Sequence, residues 1–482
     1  MIKARNFILF YFFLLFLYTF FTQFSSIYKE VIDWDESTFI ILSQSVKNGF
    51  LPYEKLWDLK GPVHYLLLGG SFKIFGDTFL VARLTGDMII FLSSIVLFKF
   101  CRNKFNTSQS LSISTIFLAL NTLNFSQPFM TEHTATFFLL LSLNNYIKRQ
   151  NKFYFFSGIF LSLSILTRTN LIILIAVAAI YFLKMNKYKS LLYFMNGLLL
   201  PMICFSLIYF LRGTFEYFYY TLILLPLANI LIRENFLEFL FNNFNNIFLD
   251  NIFSIQTIVF ILFICSVLFF TFEIKGRNSA FVEIDNFTSL NIFVLFTILI
   301  SILLTGRFFY HYFILTFPFL SILIIYFITH MFKRKTIAIL IVTFFILLST
   351  INTFIKGVKN FETYELIYSS YPVKQISKLV DKNSTILALE NHLIYFYLNI
   401  DPITPIIHPN VIFKTNEYVE MLNLLTDLGY IKQNQSQIIL DSHPRYIVCE
   451  NFCFEFIDDT YFDNYELIVD FEGVKLFEYK LN

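Results

Sequence analysis

Charged side chains are scarce in this chain of 482 residues, because Asp, Glu, Lys and Arg together make up 15% of it. Soluble proteins carry nearer a quarter. The chain has no basic tract interleaved with exposed aromatic residues, and its formal net charge of +2 adds no such signal. An ordinary soluble enzyme is therefore excluded, and no nucleic-acid partner is expected.

Cysteine is also rare, with five residues scattered along the chain. Only Cys449 and Cys453 lie close together, and their spacing does not match a zinc-binding pair followed by a second pair. We expect two unrelated thiols there, with a disulfide as the alternative if this segment lies outside the cytoplasm.

Apolar surface is what the chain has in excess, with 56% hydrophobic residues and 66 phenylalanines. Its repeated apolar runs of about 18–20 residues are long enough to cross a bilayer. The first run is too long for a cleaved signal peptide and no small-residue cleavage site follows it. The chain is predicted to be a polytopic α-helical membrane protein. About eleven spans are predicted, near residues 6–24, 87–101, 110–125, 134–147, 153–167, 170–184, 189–211, 254–272, 288–305, 312–331 and 336–355.

Basic residues are concentrated in alternate connections between these spans, and short loops rich in Lys and Arg stay cytoplasmic. The N-terminus is therefore predicted to be cytoplasmic, with the first loop and the segment after about residue 356 on the opposite side. The cytoplasmic clusters are Lys3/Arg5, Lys99/Arg102/Lys104, Lys148/Arg149/Lys152, Lys184/Lys187/Lys189, Lys275/Arg277 and Lys333/Arg334/Lys335.

The end of the chain has a different character, since it is more polar and carries short β-like runs between helix-like stretches near 371–381 and 416–433. The predicted strands are STILALE, QIILD, RYIVCE, YELIVDF and VKLFEY. We predict two domains: a transmembrane domain over 1–355, with its first outer loop at 25–86, and an extracytoplasmic α/β domain over 356–482. The second domain is interpreted as a lid or an acceptor-recognition module, and no catalytic role is assigned to it.

The first outer loop holds the strongest candidate site. Asp35 and Glu36 follow Trp34 and precede the amphipathic stretch FIILSQSVKNG, which predicts a helix in the plane of the membrane surface. A carboxylate pair that loses solvation there has tunable pKa values and can serve as a base. The alternative is a solvated loop that keeps two helices apart.

Asp58 and Lys60 follow in the same loop, just before an apolar helix predicted to begin near Pro62. An ammonium group beside the N–H groups of a helix start can hold a phosphate. The alternative for Lys60 is a lysine that reaches to the membrane surface without binding anything.

Polar residues in three further outer loops are candidates. Glu132 and His133 are the charged and titratable residues of one short loop, where Glu132 could instead cap the next helix; as a metal site the pair is weak, because no third ligand is near. Arg168 is costly at a membrane surface unless it is paired or binds an anion. Three residues of another loop, Arg307, His311 and Tyr312, suit a phosphate headgroup, although membrane-surface anchoring also explains the tyrosine.

Together these motifs resemble the bacterial members of glycosyltransferase family 39, relatives of the protein O-mannosyltransferases and of the lipid A aminoarabinose transferase, which have the GT-C fold. The resemblance covers about the first 330 residues, and the outer C-terminal segment is also similar to one that many members carry. It rests on the Asp35-Glu36 pair, NGFLPYEKLWDLKGPVHYLL, FGDTFLVARL, TEH at 131–133, LTR at 166–168 and GRFFYHYF through Pro318.

The resemblance implies an enzyme that transfers a sugar from a polyprenyl-phosphate carrier on the non-cytoplasmic face. It makes Asp35 the candidate base and places Lys60 and the outer arginines on the phosphate. Glu36 and Glu132 are expected to position sugar or acceptor, and the remaining candidates to bind substrate. The chain departs from many relatives at Gly61, where they have proline, and at Leu59, which is not acidic.

The acceptor is expected to be a lipid, a glycan or a protein, and membrane lipids are expected partners. No cofactor is required by any motif, and a divalent metal on Asp35 and Glu132 is a further option without support from spacing. Two other classes stay open: a transporter of lipid-linked sugars, and an inactive relative that acts as a scaffold. Against a transporter, the charges cluster in outer loops and no internal repeat is evident.

Overall fold

The structure is a computed structural model that describes residues 2–127, 129–227, 286–305, 309–331, 335–413, 415–450 and 453–480. Helices dominate it up to Ser370. In chain order they are α1 (Ile2–Phe24), α2 (Trp34–Lys47), α3 (Pro62–Phe75), α4 (Phe79–Cys101), α5 (Thr107–Leu120), α6 (Thr131–Tyr146), α7 (Asn151–Ile165), α8 (Ile173–Lys184), α9 (Tyr188–Leu211), α10 (Phe215–Tyr219), α11 (Asn286–Thr305), α12 (Phe317–Met331), α13 (Lys335–Ser349), α14 (Ile351–Glu362) and α15 (Tyr364–Ser370).

Every predicted span within the described ranges overlaps one of these helices, and the span predicted at 254–272 lies outside them. Five described helices are long and apolar enough to cross a membrane by themselves, or six if the bent pair Ile339–Ser349 and Ile351–Glu362 is one span. The polytopic helical class is confirmed, whereas the number of eleven spans stays a prediction.

Glycines allow two of the membrane helices to pack closely. A Cβ on Gly158 would lie 2.1 Å from the carbonyl oxygen of Phe194, and one on Gly197 would lie 1.9 Å from that of Phe155. The backbones of α7 and α9 therefore touch. Such close packing, which small residues allow, is a main source of helix association in membranes.

The first outer loop contains the helix predicted after Trp34. Asp33 caps it, because its carboxylate accepts a hydrogen bond of 2.8 Å from the backbone N–H of Asp35. Residues 36–44 of this helix are all buried in protein, and its position in the plane of the membrane surface stays a prediction. The next helix begins at Pro62, as its N-terminal proline predicted.

The chain passes through α13 and α14, which are bent by 43° relative to each other, to residues 356–482. These residues are called the outer segment after their predicted side of the membrane. The domain boundary predicted between 355 and 356 falls inside α14. Gly357 brings α14 against α1, because a Cβ there would lie 1.5 Å from the carbonyl oxygen of Phe21.

The outer segment contains one four-stranded sheet with the strand order β1-β2-β4-β3. Only β1 and β2 are parallel, and the other pairs are antiparallel. The strands are β1 (Ile386–Ala388), β2 (Tyr446–Cys449), β3 (Tyr465–Phe471) and β4 (Val474–Tyr479). Short helices accompany them at α16 (Pro372–Ile376), α17 (Leu393–Leu398), α18 (Pro409–Phe413), α19 (Thr415–Asp427), α20 (Gln435–Asp441) and α21 (Cys453–Phe456).

Two expectations for this segment are wrong. QIILD is part of helix α20, where the amide of Gln437 donates a 2.7 Å hydrogen bond to Asp441 four residues later. Cys449 and Cys453 are joined in a disulfide, with their Cα atoms 5.7 Å apart. Strand β2 ends at Cys449 and α21 begins at Cys453, and a Cα separation of 5.7 Å is ordinary for a disulfide.

The outer segment packs directly on the first outer loop. The N–H of Trp57 donates to the carbonyl oxygen of Pro405 at 2.8 Å, and Trp57 and Ile406 form a parallel bridge. The Gln44 amide of α2 also donates to the carbonyl oxygen of Phe396 in α17. The segment 405–408 therefore runs beside residues 57–60, which positions it at the candidate site.

Candidate active site

A cavity of about 660 Å³ lies between the first outer loop, the turn at 167–173 and the outer segment. One part of its wall is polar. Most of the remaining wall is aliphatic, with Ile172, Ile173, Leu222, Ile223, Leu227 and Leu304 among its residues. The polar part consists of Asp33, Asp35, Asp58, Lys60, Arg168, His311, Tyr312 and His408, with Thr167, Thr169, Asn170, Ser301 and Thr305.

Asp35 lies at the centre of the polar part and contacts cationic groups on both of its oxygens. Lys60 Nζ lies 3.3 Å from Oδ2, and His408 Nε2 lies 3.3 Å from Oδ1. His311 Nε2 is more distant, 3.8 Å from Oδ2. The Asp35 side chain keeps 19% of its surface exposed, so it is open to a small reactant in the cavity.

The surroundings of Asp35 keep it ionised. Burial raises its pKa, but Lys60 and then His408 outweigh burial and hold the pKa well below its usual range. Asp33 differs, because burial and the neighbouring charge of Asp35 raise its pKa. For Lys60, burial lowers the pKa, and the carboxylates of Asp35 and Asp58 more than reverse that effect.

Lys60 is fixed by the backbone that follows it. Gly61 N–H donates to the carbonyl oxygen of Thr167 at 3.2 Å, and a Cβ on Gly61 would lie 1.9 Å from the carbonyl oxygen of Leu166. Proline has no N–H to make this bond, so both features explain a glycine here. Lys60 precedes Gly61 and Arg168 follows Thr167, so the hydrogen bond between Gly61 and Thr167 holds the two cationic residues close together.

Gly61→Ala is expected to lower the free energy of unfolding by about 1–3 kcal/mol or more, because the new methyl group meets backbone that cannot turn away. The measurement is the unfolding temperature of the purified protein in detergent. Gly70→Ala is the matched control, because a Cβ there meets nothing within 4 Å in the same helix region. Equal unfolding temperatures for the two variants would contradict the close contact.

Arg168 and Glu132 form a buried ion pair behind the cavity wall, with a distance of 3.0 Å between Nη2 and Oε1. The Arg168 guanidinium also lies 4.5 Å from the ring centre of Tyr312. His311 Nε2 lies 3.9 Å from Glu132 Oε1 and thus stands between Glu132 and Asp35. Glu132 is not among the residues that line the cavity. It contacts Arg168, which does line the cavity, so any effect of Glu132 on substrate would act through Arg168.

Two buried donors of the cavity wall have no hydrogen-bond partner in the described part of the chain. These are Arg168 Nε and His311 Nε2. A buried donor without an acceptor is costly, and an anion in the cavity would supply acceptors to both. The arrangement of Lys60, Arg168 and His311 is therefore suited to an anionic group such as phosphate.

Two predicted residues, Glu36 and His133, are not among the residues that line the cavity. Glu36 faces away from the cavity, where Arg83 lies 2.7 Å from one oxygen and the N–H of Phe129 donates to the other. His133 is buried and bonds to Ser126 and to the N–H of Met130. Both positions fit a structural role, because neither side chain lines the cavity and both hydrogen-bond to neighbouring helices or loops. Arg307 lies outside the described residues.

Asp58 lines the cavity but its carboxylate is already engaged. It accepts hydrogen bonds from the hydroxyl of Tyr65 and from the N–H of Leu59, and only 3% of the residue is exposed. Asp58 therefore helps to balance the charge of Lys60, and we infer this supporting role for it in place of the predicted substrate contact.

His408 lines the cavity and contacts Asp35, and sequence reasoning missed it because it made no catalytic claim for the outer segment. The sequence offered little to single it out: His408 is one of seven histidines and lies in the turn-rich stretch DPITPIIHPN. Nothing local connects that stretch with Asp35, because the contact depends on how residues 405–408 pack on the first loop. In the described residues, no group of three His, Cys, Asp or Glu side chains is arranged to hold a metal.

Comparison with known proteins adds three findings. The family described as dolichyl-phosphate-mannose-protein mannosyltransferase matches residues 59–210. The structure of ArnT from Cupriavidus metallidurans bound to undecaprenyl phosphate is similar to the chain, with a TM-score of 0.59 and 12% identity over 98% of both chains. The apo state of the same protein gives a TM-score of 0.57, also with 12% identity over 98% of both chains. No curated protein matches in sequence.

Proposed function

The chain is a polytopic membrane protein with the GT-C fold predicted from its motifs, and from that premise we propose that it is a glycosyltransferase. Its donor is a sugar on a polyprenyl phosphate, and its acceptor carries a hydroxyl or similar nucleophile at the outer membrane face. One observation supports this most: an ionised Asp35 in direct contact with Lys60 at the polar end of a largely aliphatic cavity.

The aliphatic walls favour a lipid-linked donor. Ile172, Ile173, Leu222, Ile223 and Leu227 offer an apolar surface that leads to the cationic groups. A polyprenyl tail gains free energy there by the same effect that buries it in a bilayer, while its phosphate meets Lys60, Arg168 and His311. The similar ArnT structure is bound to undecaprenyl phosphate, which agrees with this class of donor.

The reaction then follows from the positions of these charges. Asp35 accepts the proton of the acceptor hydroxyl as the oxygen attacks the anomeric carbon. The bond from that carbon to the phosphate oxygen breaks, and the phosphate leaves with the electron pair and gains negative charge. Lys60 and Arg168 stabilise this charge. A single displacement of this kind inverts the anomeric centre.

Donor binding also prepares the base. In the structure Lys60 is paired with Asp35, which lowers the basicity of the carboxylate. A donor phosphate competes for Lys60, and when the ammonium turns to it the pKa of Asp35 rises towards its usual range. Asp35 thus becomes an effective proton acceptor only when a donor is in place.

The site residues come from connections that the distribution of basic residues assigns to one side of the membrane. Asp35, Lys60, Arg168, His311 and His408 all belong to predicted outer segments, and they share one cavity. This supports our proposal of a bacterial cytoplasmic-membrane protein with a cytoplasmic N-terminus, whose cavity and residues 356–482 are extracytoplasmic.

The test is transfer of radiolabelled sugar in membranes that contain the protein, with a panel of polyprenyl-phosphate sugars as donors. The expected result is label in a lipid, glycan or protein fraction that depends on the protein. Carrier-bound label that crosses the bilayer without entering a product would instead favour the transporter of lipid-linked sugars, and absence of both would favour the scaffold.

A further inference from the structure

His408 links the outer segment to the carboxylate at the centre of the cavity. Its Nε2 lies 3.3 Å from Asp35 Oδ1, and 16% of its side chain is exposed. It is the member of the outer segment that contacts this carboxylate in the described structure. Its role does not follow from the fold, and the proton transfer and phosphate contacts proposed above assign it none.

The backbone contact between the outer segment and the first outer loop lies close to His408 and Lys60 in the chain. The hydrogen bond from Trp57 N–H to Pro405 and the parallel bridge between Trp57 and Ile406 hold the two stretches together. Lys60 follows this bridge on one stretch and contacts Oδ2 of Asp35, and His408 follows it on the other and contacts Oδ1.

The groups that face His408 favour its charged form. They are the carboxylates of Asp33, Asp35 and Asp58, opposed by the charge of Lys60. His392, whose ring centre is 6.0 Å away, is neutral and adds no opposing charge. Burial lowers the pKa of His408, and the hydrogen bond and charge of Asp35 raise it above its usual value. Burial lowers the pKa of His392 to about 3. His408 is thus expected to donate a charged hydrogen bond.

We propose that His408 is the positioning residue for Asp35, so that docking of the outer segment completes the active site. This inference rests on the proposed function. The Nε2–H of His408 holds Oδ1, which fixes the plane of the carboxylate. Oδ2 is then presented to the acceptor hydroxyl when Lys60 leaves it for the donor phosphate.

The geometry makes this role necessary at one stage of the reaction. While Lys60 is paired with Asp35, both oxygens are held and the carboxylate cannot turn. Once Lys60 contacts the phosphate, His408 is the close partner that remains, and His311 at 3.8 Å is too distant to replace it. A carboxylate that is free to rotate at that stage loses its alignment with the acceptor, and such misplacement costs about 10²-fold in rate.

The experiment compares His408→Gln and His408→Ala with wild type by sugar transfer as a function of pH. His408→Ala is expected to lower kcat by about 10²-fold while leaving the KM for the donor nearly unchanged. His408→Gln is expected to recover part of kcat, because its amide still donates a hydrogen bond. In both variants the acidic limb of the kcat/KM profile moves to higher pH, since removal of a cation raises the pKa of Asp35.

His443→Gln is the matched control, because His443 is an exposed histidine of the same outer segment that does not line the cavity. Equal losses in His408→Gln and His408→Ala with an unmoved acidic limb would overturn the positioning role and leave a packing role. If His408→Ala does not fold, His408→Gln decides alone: an unchanged kcat and an unmoved limb overturn the proposal. If wild type transfers no sugar from any donor, the proposed function itself fails, which is a separate outcome.

Discussion

Asp35→Asn is expected to abolish sugar transfer, with a loss in kcat of about 10²–10⁴-fold, the range in which general base catalysis contributes. The asparagine keeps the shape of the side chain but cannot accept the proton of the acceptor hydroxyl. The KM for the donor is expected to fall or stay unchanged, because Lys60 and His408 lose their anionic partner and Lys60 becomes free for the phosphate.

The measurement is initial transfer rate from the active donor, with expression and unfolding temperature checked for each variant. Asp401→Asn is the control, because Asp401 pairs with Lys55 at the surface and is 60% exposed. Asp35 does not cap α2, a role that belongs to Asp33, so the helix should persist in the variant. Full transfer activity in a well-expressed Asp35→Asn protein would remove Asp35 as the base.

Lys60→Met is expected to have the second-largest effect, a loss in kcat/KM of about 10²–10³-fold, similar to the removal of one preorganised donor at a site where charge develops. Methionine retains an apolar chain of similar length in the same space. The loss has two sources: weaker binding of the donor phosphate, and a less stabilised leaving group.

Binding of the leaving group separates these sources. Inhibition of transfer by free polyprenyl phosphate should weaken strongly in Lys60→Met. It should stay at the wild-type level in Lys73→Met, because Lys73 is exposed in the last turn of α3, the helix that begins just after Lys60. If Lys60→Met is inhibited as strongly as wild type, the phosphate binds elsewhere in the cavity and Lys60 serves only to balance Asp35.

The sequence was informative about the membrane part because charge is costly there. An unpaired Asp or Arg at a membrane surface persists only with a partner or a ligand, so Asp35, Lys60, Arg168 and His311 were candidates before any contact was known. The structure brings these four to one cavity. The helix start at Pro62 was equally predictable, since it depends on local backbone chemistry.

The sequence analysis placed adjacent helical residues together at one site, and the structure separates them. Asp35 and Glu36 were treated as a pair, as were Glu132 and His133, although neighbours on a helix point in directions about 100° apart. Asp35 therefore lines the cavity and Glu132 pairs with Arg168. Their neighbours Glu36 and His133 are packed within protein. Glu36 is satisfied by Arg83, whose position in FGDTFLVARL was visible in the sequence but not connected with it.

His408 could not be predicted because its partner is 373 positions earlier in the chain. Its place depends on the pairing of residues 405–408 with 57–60, and a bridge between single residues leaves no periodic pattern in a sequence. The strand predicted at QIILD was wrong for a different reason. An apolar run of five residues is too short for its pattern to distinguish a helix from a strand.

The backbone contact at Gly61 also has a consequence for how the cavity responds to substitution. Lys60 precedes Gly61 and Arg168 follows Thr167, and these two inner residues share one backbone hydrogen bond, so the two cations depend on a single contact. A substitution that shifts one of them is expected to move the other. Their spacing is therefore set as a unit, whereas His408 reaches the cavity from a separate stretch of chain and is expected to shift independently of them.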